Sequence, residues 1–212
     1  MSIRVLLADD HTLLRQGIRR ILDTDPEFEV VAEASSGMQA LDLAERFTPD
    51  VAIVDIAMKE LNGIEATAQM PRRSPNTKVL ILSMYGDERY VTRAVKNGAL
   101  GYLLKDSVEE DLLQAIRAVH AGQSFFSPAV ARTLADNYKL QKVVEDRYDL
   151  LTARERQIYQ LLAEGKANKE LANMLNLSLH TVETHRIHVM EKLGVHSAAE
   201  LVLSAVRRGL VS

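Results

Sequence analysis

The chain has 212 residues, a formal charge of −3, and neither cysteine nor tryptophan. At about 100–150 residues per domain the length suits two small domains or one large one, and a hydrophobic content of 47% lets either bury a core. Lack of cysteine excludes a disulfide scaffold and a thiolate zinc site, and makes a reducing, cytoplasmic compartment the expectation.

Acidic residues at Asp9 and Asp10 come too early for a signal peptide's apolar region. No apolar run approaches the roughly 18–20 residues of a membrane span, so no membrane partner is expected. The mild negative charge speaks against a chain that coats nucleic acid over its whole surface, while leaving room for a basic patch in one domain. Residues 1–148 are net −4 and residues 149–212 net +1. Four of the six histidines fall in the second part: His180, His185, His188 and His196.

The first part alternates short β-branched runs with amphipathic stretches. The runs are Ile3–Ala8, Glu29–Ala34, Val51–Val54, Val79–Leu82 and Gly101–Leu104. Each is too short for a helix and nearly continuous in apolar character, as expected of strands buried on both faces. Between them Thr12–Leu22, Met38–Phe47 and the Leu112, Ile116, Val119 repeat have helical spacing. Five βα units in about 121 residues imply a doubly wound, five-stranded parallel sheet with helices on both faces. A ligand site is then expected outside the strands' carboxyl ends, where strand order reverses.

After Gly122 the strand signals stop. Ser127–Val144 reads as helical, with Pro128 at a first helical position, and Lys142–Asp149 as a charge-rich linker. From Leu151 the pattern is wholly helical. Thr152 and Glu155 make a capping box, Gly165 ends that helix, Asn168 and Ser178 cap the next two, and a fourth runs from near Ser197 to Gly209. The expected organisation is a unit over 1–121, a helical linker over 122–148 and an all-α four-helix domain over 149–212.

Chemistry concentrates at the strand ends. Asp9 and Asp10 follow the first strand, Asp55 ends the third, Ser83 follows the fourth and Lys105 the fifth. Taken singly, an aspartate after a strand commonly caps the next helix, and Ser83 or Lys105 is an ordinary turn or surface residue. Jointly they describe a pocket. Three carboxylates repel unless a hard cation sits among them, and an oxygen ligand set that retains water suits Mg²⁺. Lys105 adds fixed positive charge and Ser83 a hydroxyl for an oxyanion, so the set suits phosphoryl transfer onto Asp55 as nucleophile.

These residues also carry a resemblance. Ile3 to His11, Asp50 to Asp55, Leu82-Ser83-Met84 and Gly101 to Asp106 resemble the flavodoxin-like receiver domain of bacterial two-component response regulators. The resemblance implies that Asp55 accepts phosphate from a partner histidine kinase. It implies that Asp10, Asp55, the Ala57 carbonyl and, through water, Asp9 hold Mg²⁺. Ser83 and Lys105 would contact the phosphoryl group, and Tyr102 matches the aromatic that rotates inward as the hydroxyl residue moves. One departure is Lys59, where the family usually has proline, ahead of the matching Gly63; its expected effect is on phosphoryl lifetime.

In the second part, Asn168–Leu175, a tight turn and Ser178–Leu193 form a helix-turn-helix candidate, though spacing alone equally fits a plain helical bundle. Leu151 to Arg156, Ala163 to Ala172, Ser178 to His185 and Lys192 to Val195 resemble the LuxR-type DNA-binding domain. Together the two resemblances imply the NarL/FixJ layout: a transcription regulator, not a turnover enzyme, with promoter DNA as partner. Lys169, Thr181, His185 and Lys192 are phosphate candidates, while Glu183, Thr184 and Ile187 should face base edges. Arg186 sits at the margin, reaching a phosphate or guanine or packing along its stem. The last helix is implied to pair two subunits on DNA through Ala198, Val202 and Val206. An aspartate-based phosphatase would share the carboxylates but needs a substrate pocket. A small-ligand LuxR regulator would lack Asp55 and Lys105 at strand ends.

Overall fold

Strand register explains why distant residues meet. In a computed structural model, which describes residues 2–140 and 147–211, β1 (Ile3–Ala8) pairs on one side with β2 (Phe28–Ala34) and on the other with β3 (Val51–Asp55). β4 (Lys78–Ser83), β5 (Gly101–Leu104) and a short β6 (Phe125–Phe126) follow outward from β3. All pairs are parallel, in the order β2-β1-β3-β4-β5-β6. The chain steps from β1 outward to β2 and then returns past β1 to β3, so the order reverses between β1 and β3.

Helices α1 (Thr12–Asp23), α2 (Gly37–Phe47), α3 (Gly63–Arg73), α4 (Glu88–Lys96) and α5 (Val108–His120) connect the strands. Their apolar stripes explain the connection. Ile18 and Leu22 from α1 and Leu112, Ile116 and Val119 from α5 pack on Val5, Leu7, Ile53 and Leu80. Burying each such side chain contributes about 1.5–3 kcal/mol, which is why the short central strands hold despite modest length. β3 is buried at every residue, whereas the edge strand β2 is mostly half-buried, as its single neighbour requires.

The expected five strands are six. Phe125 and Phe126 pair in parallel with Gly101 and Tyr102, a two-residue ladder too short to leave a periodicity signal. The chain then enters α6 (Pro128–Leu140), which starts at Pro128 as expected and packs against α4 and β5. Thus β6 and α6, drawn from the segment read as linker, belong to the first of two compact units. The expected helix end at Val144 and the charge-rich start of the linker lie outside the described residues.

The second unit is helical. A 3-10 turn, Arg147–Leu150, brings Tyr148 into the core against Tyr159, with ring centroids 6.0 Å apart. Helices α7 (Ala153–Ala163), α8 (Asn168–Leu175), α9 (Leu179–Leu193) and α10 (Ala198–Arg207) follow. The Thr152/Glu155 capping box is present: Glu155 N–H donates to Thr152 Oγ1 at 3.2 Å and Thr152 N–H to Glu155 Oε2 at 2.7 Å. Ser178 and Ser197 cap α9 and α10 through the amides of Thr181 and Glu200. Asn168 is not a cap. Glu170 accepts from the Ala167 amide at 2.7 Å, which moves the helix start one residue earlier and makes Asn168 the first helical residue.

One glycine has a role that packing makes obligatory. A Cβ on Gly63 would stand 2.0 Å from the Asp55 carbonyl oxygen and 2.9 Å from Val54, so the start of α3 is pressed onto the end of β3. Gly63→Ala is expected to cost about 3 kcal/mol, at the upper end for overpacking, because the opposing atom is backbone and cannot swing away. Urea unfolding of the variant measures it.

Candidate functional site

The register delivers four strand ends to one edge. Ala8 lies opposite Val54, which sets Asp9 beside Asp55; Asp55 lies opposite Leu82, and Ser83 opposite Leu104. Ser83 therefore stands one residue, and Lys105 two residues, beyond the level of Asp55. Lys105 Nζ is 2.8 Å from Asp9 Oδ2 and 3.1 Å from Asp55 Oδ1, and all three side chains are less than 8% exposed. Asp55 Oδ2 is buried with no hydrogen-bond partner among the described residues. Asp9, Asp10, His11 and Asp55 each offer a ligand atom within 4.8 Å of the others.

Neither aspartate after β1 caps α1: His11 occupies the cap position without a side-chain bond. Asp9 Oδ1 instead accepts from the His11 amide at 2.7 Å, a local turn that holds its carboxylate at the sheet edge. The loop after β3 runs through Ala57. The carbonyl of Ile56 is taken by the amides of Met58 and Gly63, while that of Ala57 has no hydrogen bond among the described residues.

Electrostatics follow from burial. Burial, reinforced by the Asp9 charge and only partly offset by Lys105, pushes the Asp55 carboxyl up from 3.8 to about 6. Burial pulls the Lys105 ammonium down, but Asp55 and Asp9 outweigh it and leave the group above its ordinary value. The pocket thus holds more negative than positive charge, which a divalent cation would balance. The orphaned Asp55 Oδ2 and the all-oxygen donors fit such an ion.

Ser83 is fully buried, and its Oγ accepts from the Tyr85 amide at 3.0 Å. Tyr102 is turned fully inside, its hydroxyl donating to the Tyr85 carbonyl at 2.5 Å. Burial raises the phenol well above its ordinary range, with a hydrogen bond to Ser83 acting the other way. The sequence reading named the aspartates but not two neighbours that contact them. His11 Nδ1 lies 2.9 Å from Asp10 Oδ1 and 3.2 Å from Asp9 Oδ1, and Arg15 Nη1 donates to the Asp9 carbonyl at 2.6 Å. Adjacency in Asp9-Asp10-His11 was an available signal; the Arg15 contact depends on how α1 leaves the strand.

In the second unit, α8 and α9 are joined by Asn176, in left-handed backbone, Leu177 and Ser178. Leu171, Ala172 and Val182 bury against Ile158 and Leu161, while Val189 and Leu193 enter the cluster around Tyr148 and Tyr159. Opposite that stripe Glu183 and Ile187 are exposed and Thr184 half-exposed, with Ile187 at 56%. Lys169 is exposed, and Thr181, His185 and Arg186 are half-exposed. Arg186 reaches Asn168 at 3.5 Å. Lys192 differs from expectation: its Nζ is bound by both oxygens of the buried Glu155, at 2.8 and 2.6 Å, and so is committed to the start of α7. Burial favours a raised Glu155 pKa, yet the Lys192 and Thr152 hydrogen bonds hold it below the ordinary value. On α10, Leu201 and Ala205 close the core, leaving Ala198, Val202 and Val206 exposed along one face.

Residues 5–117 match the family model of the response regulator receiver domain, and residues 149–205 that of the bacterial regulatory proteins of the luxR family. This chain is a NarL/FixJ-type response regulator. The regulator is 36% identical to the transcriptional regulatory protein DegU of Brevibacillus brevis, over 99% of this chain and 95% of that protein. It is equally 36% identical to the oxygen regulatory protein NreC of Staphylococcus carnosus, over 99% of both. Among solved structures, the response regulator ChrA of a heme-sensing two-component system matches over 99% of both chains, with 38% identity and a TM-score of 0.55. A structure of RcsB dimers bound to DNA matches 97% of this chain and all of its own, at 27% identity and a TM-score of 0.61. The regulator is therefore a two-component, LuxR-type helix-turn-helix transcription regulator rather than an enzyme of metabolism. No helix among the described residues is long and apolar enough to cross a membrane.

The Asp55 shift sets a pH dependence. The folded state binds the proton more tightly than the unfolded chain, so this group's contribution to stability is full below pH 3.8 and is lost as pH rises through about 6. Asp55→Asn, which cannot ionise, is expected to stabilise the metal-free regulator at pH 7.5 by on the order of 2 kcal/mol. The gain should vanish near pH 4, as urea unfolding in EDTA at both pH values would read.

Proposed function

We propose that Asp55 accepts a phosphoryl group from a partner sensor histidine kinase in a Mg²⁺-dependent reaction, and that this promotes sequence-specific binding to promoter DNA. The observation that carries the proposal is the buried Asp55 carboxylate, with one oxygen held by Lys105 and the other unpartnered. Asp10, Asp55 and the Ala57 carbonyl would hold the ion directly, with Asp9 acting through water. When bound, Mg²⁺ supplies charge neutralisation on the transferring phosphoryl oxygens.

The transfer balances without a further reactant. A carboxylate oxygen of Asp55 forms the new bond to phosphorus as the bond from phosphorus to the kinase imidazole nitrogen breaks, and that nitrogen keeps the electron pair. Lys105 stays beside Asp55 as a fixed counter-charge, and Ser83 donates its hydroxyl to a phosphoryl oxygen. Hydrolysis of the acyl phosphate by water returns the carboxylate, so self-dephosphorylation needs no added group. Lys59, four residues after Asp55 in the sequence, is the residue we expect to alter the lifetime of the modified state.

On DNA, Lys169, Thr181 and His185 meet phosphates, Glu183, Thr184 and Ile187 meet base edges, and Arg186 reaches the margin of the groove. Lys192 contributes charge through its pair with Glu155 rather than as a free cation. Two copies pair through Ala198, Val202 and Val206, which gives two half-sites about one helical turn apart. A regulator working on promoters beside a kinase partner is placed in the cytoplasm.

Acetyl phosphate with Mg²⁺ should place acid-labile phosphate on the wild type and none on Asp55→Asn, and omitting Mg²⁺ should abolish uptake. No label on the wild type would end the proposal; label without a gain in DNA affinity would remove only the switch. Val202→Glu should weaken binding to a selected two-half-site duplex at least about tenfold, since one charge must be buried at the pairing face, while its melting temperature stays near that of wild type.

A further inference from the structure

The phosphoacceptor pocket and helix α6 share a loop. Ser83 ends β4, and three residues, Met84-Tyr85-Gly86, lead to Asp87, which caps α4. Each of the last two loop residues is tied to a different element. The Tyr85 amide donates to Ser83 Oγ at 3.0 Å, and its carbonyl accepts from Tyr102 on β5. The Gly86 carbonyl accepts from Thr133 Oγ1 of α6 at 3.3 Å. The side chain that stands at the pocket and the helix that leads on toward the second unit are therefore only three residues apart along one short loop.

We propose that Thr133 is a positioning residue that holds α6 to this loop, and that phosphorylation releases it by drawing Ser83 toward the phosphoryl group. The proposal rests on the reading of Asp55 as phosphoacceptor. Two features make the contact a poised latch rather than a permanent joint. First, the Thr133 hydroxyl has one proton and two acceptors at nearly equal distance: Gly86 O at 3.3 Å and Ala129 O, one turn back in α6, at 3.2 Å. When Gly86 withdraws, the hydroxyl keeps Ala129 as acceptor and no donor is stranded, so release costs the modest Gly86 bond alone and not the further penalty of an unpaired donor. Second, the held position is incompletely satisfied. Ser127 precedes α6 where a serine would cap the helix, yet its Oγ is buried with no hydrogen-bond partner among the described residues. Among the described side chains of α6, Val130 is buried and Thr133 and Leu134 are half-buried. The two-residue β6 ladder is its other anchor.

Thr133→Val keeps the shape and deletes the hydroxyl. Amides of residues 129–135 should then exchange with deuterium about two- to five-fold faster in the unphosphorylated protein, the scale of one modest hydrogen bond. Wild type treated with acetyl phosphate and Mg²⁺ should show the same acceleration, while Thr133→Val takes up phosphate at Asp55 as wild type does. A second variant reverses the test. A Cβ at Gly86 would meet only Leu104 methyl groups at 3.6 Å, so Gly86→Cys fits, and the chain has no other cysteine to compete. The Gly86→Cys/Thr133→Cys pair, oxidised, should accept phosphate but show neither faster α6 exchange nor a gain in DNA affinity, and reduction should restore both. Unchanged α6 exchange in phosphorylated wild type overturns the latch while leaving phosphorylation standing; so does a disulfide-locked protein that responds fully. Absence of phosphate on wild-type Asp55 removes the parent reading and this relay together.

Discussion

Two buried carboxylates share one buried ammonium at the end of the sheet, and most of the first unit can be understood as what makes that tolerable. Asp9 and Asp55 each contact Lys105, but one cation cannot neutralise both, and burial lifts the Asp55 pKa to about 6. An ion pair of this kind is not a source of stability by itself, since desolvation offsets most of its Coulomb attraction. It persists because the β1, β3 and β5 strands that supply the three residues are held by a core of Val, Leu and Ile against α1 and α5, with Leu6, Ala52, Val54 and Ile81 buried on the opposite face. A hydrophobic frame thus holds a charged site that would otherwise relax into water, and the residual negative charge is what makes the site receptive to a cation.

The frame also controls access to the backbone around Asp55. Gly63 lets α3 start against the Asp55 carbonyl, and Asp9 is turned by its bond to the His11 amide instead of capping α1. Arg15 places further positive charge at the Asp9 end of the cluster, and the His11 ring contacts both aspartates. On the other flank, Ser83 and Tyr102 converge on the Tyr85 peptide, so the pocket is continuous with the loop that precedes α4. That loop is a natural route for a change at Asp55 to leave the sheet edge, because it joins Ser83 to the Gly86 carbonyl that accepts from Thr133 of α6.

The second unit solves a different problem. A domain of about 60 residues has little interior, and such domains are marginal unless their helices are well capped and tightly packed. Here three helices are capped by serine or threonine, and the buried Glu155 serves both the α7 cap and Lys192. That second bond joins α7 to α9 across the core, which steadies the helix whose outer face presents Glu183 and Ile187. Its cost is one partly exposed cation tied to a carboxylate, in a unit whose net charge is only +1.

Much of this was legible without coordinates. Strand runs near-continuous in apolar residues, helices with stripes at spacing three and four, and carboxylates at two strand ends are one-dimensional patterns with direct physical causes, and the two family resemblances added which residues act together. Capping by Thr152, Ser178 and Ser197 was equally local. What the sequence left undecided depended on partners far along the chain. β6 is two residues long and exists only because β5 offers a free edge. Lys192 looks like a free cation until Glu155, 37 residues away, is folded against it. Asn168 has the chemistry of a cap, but Glu170 bonds the preceding amide first. Thr133 reads as an ordinary helix residue until α6 packs on α4 and sets its hydroxyl beside Gly86. Local propensity and periodicity determined the elements and the chemistry at the strand ends; competition between distant partners for the same donors, acceptors and edges was decided only in three dimensions.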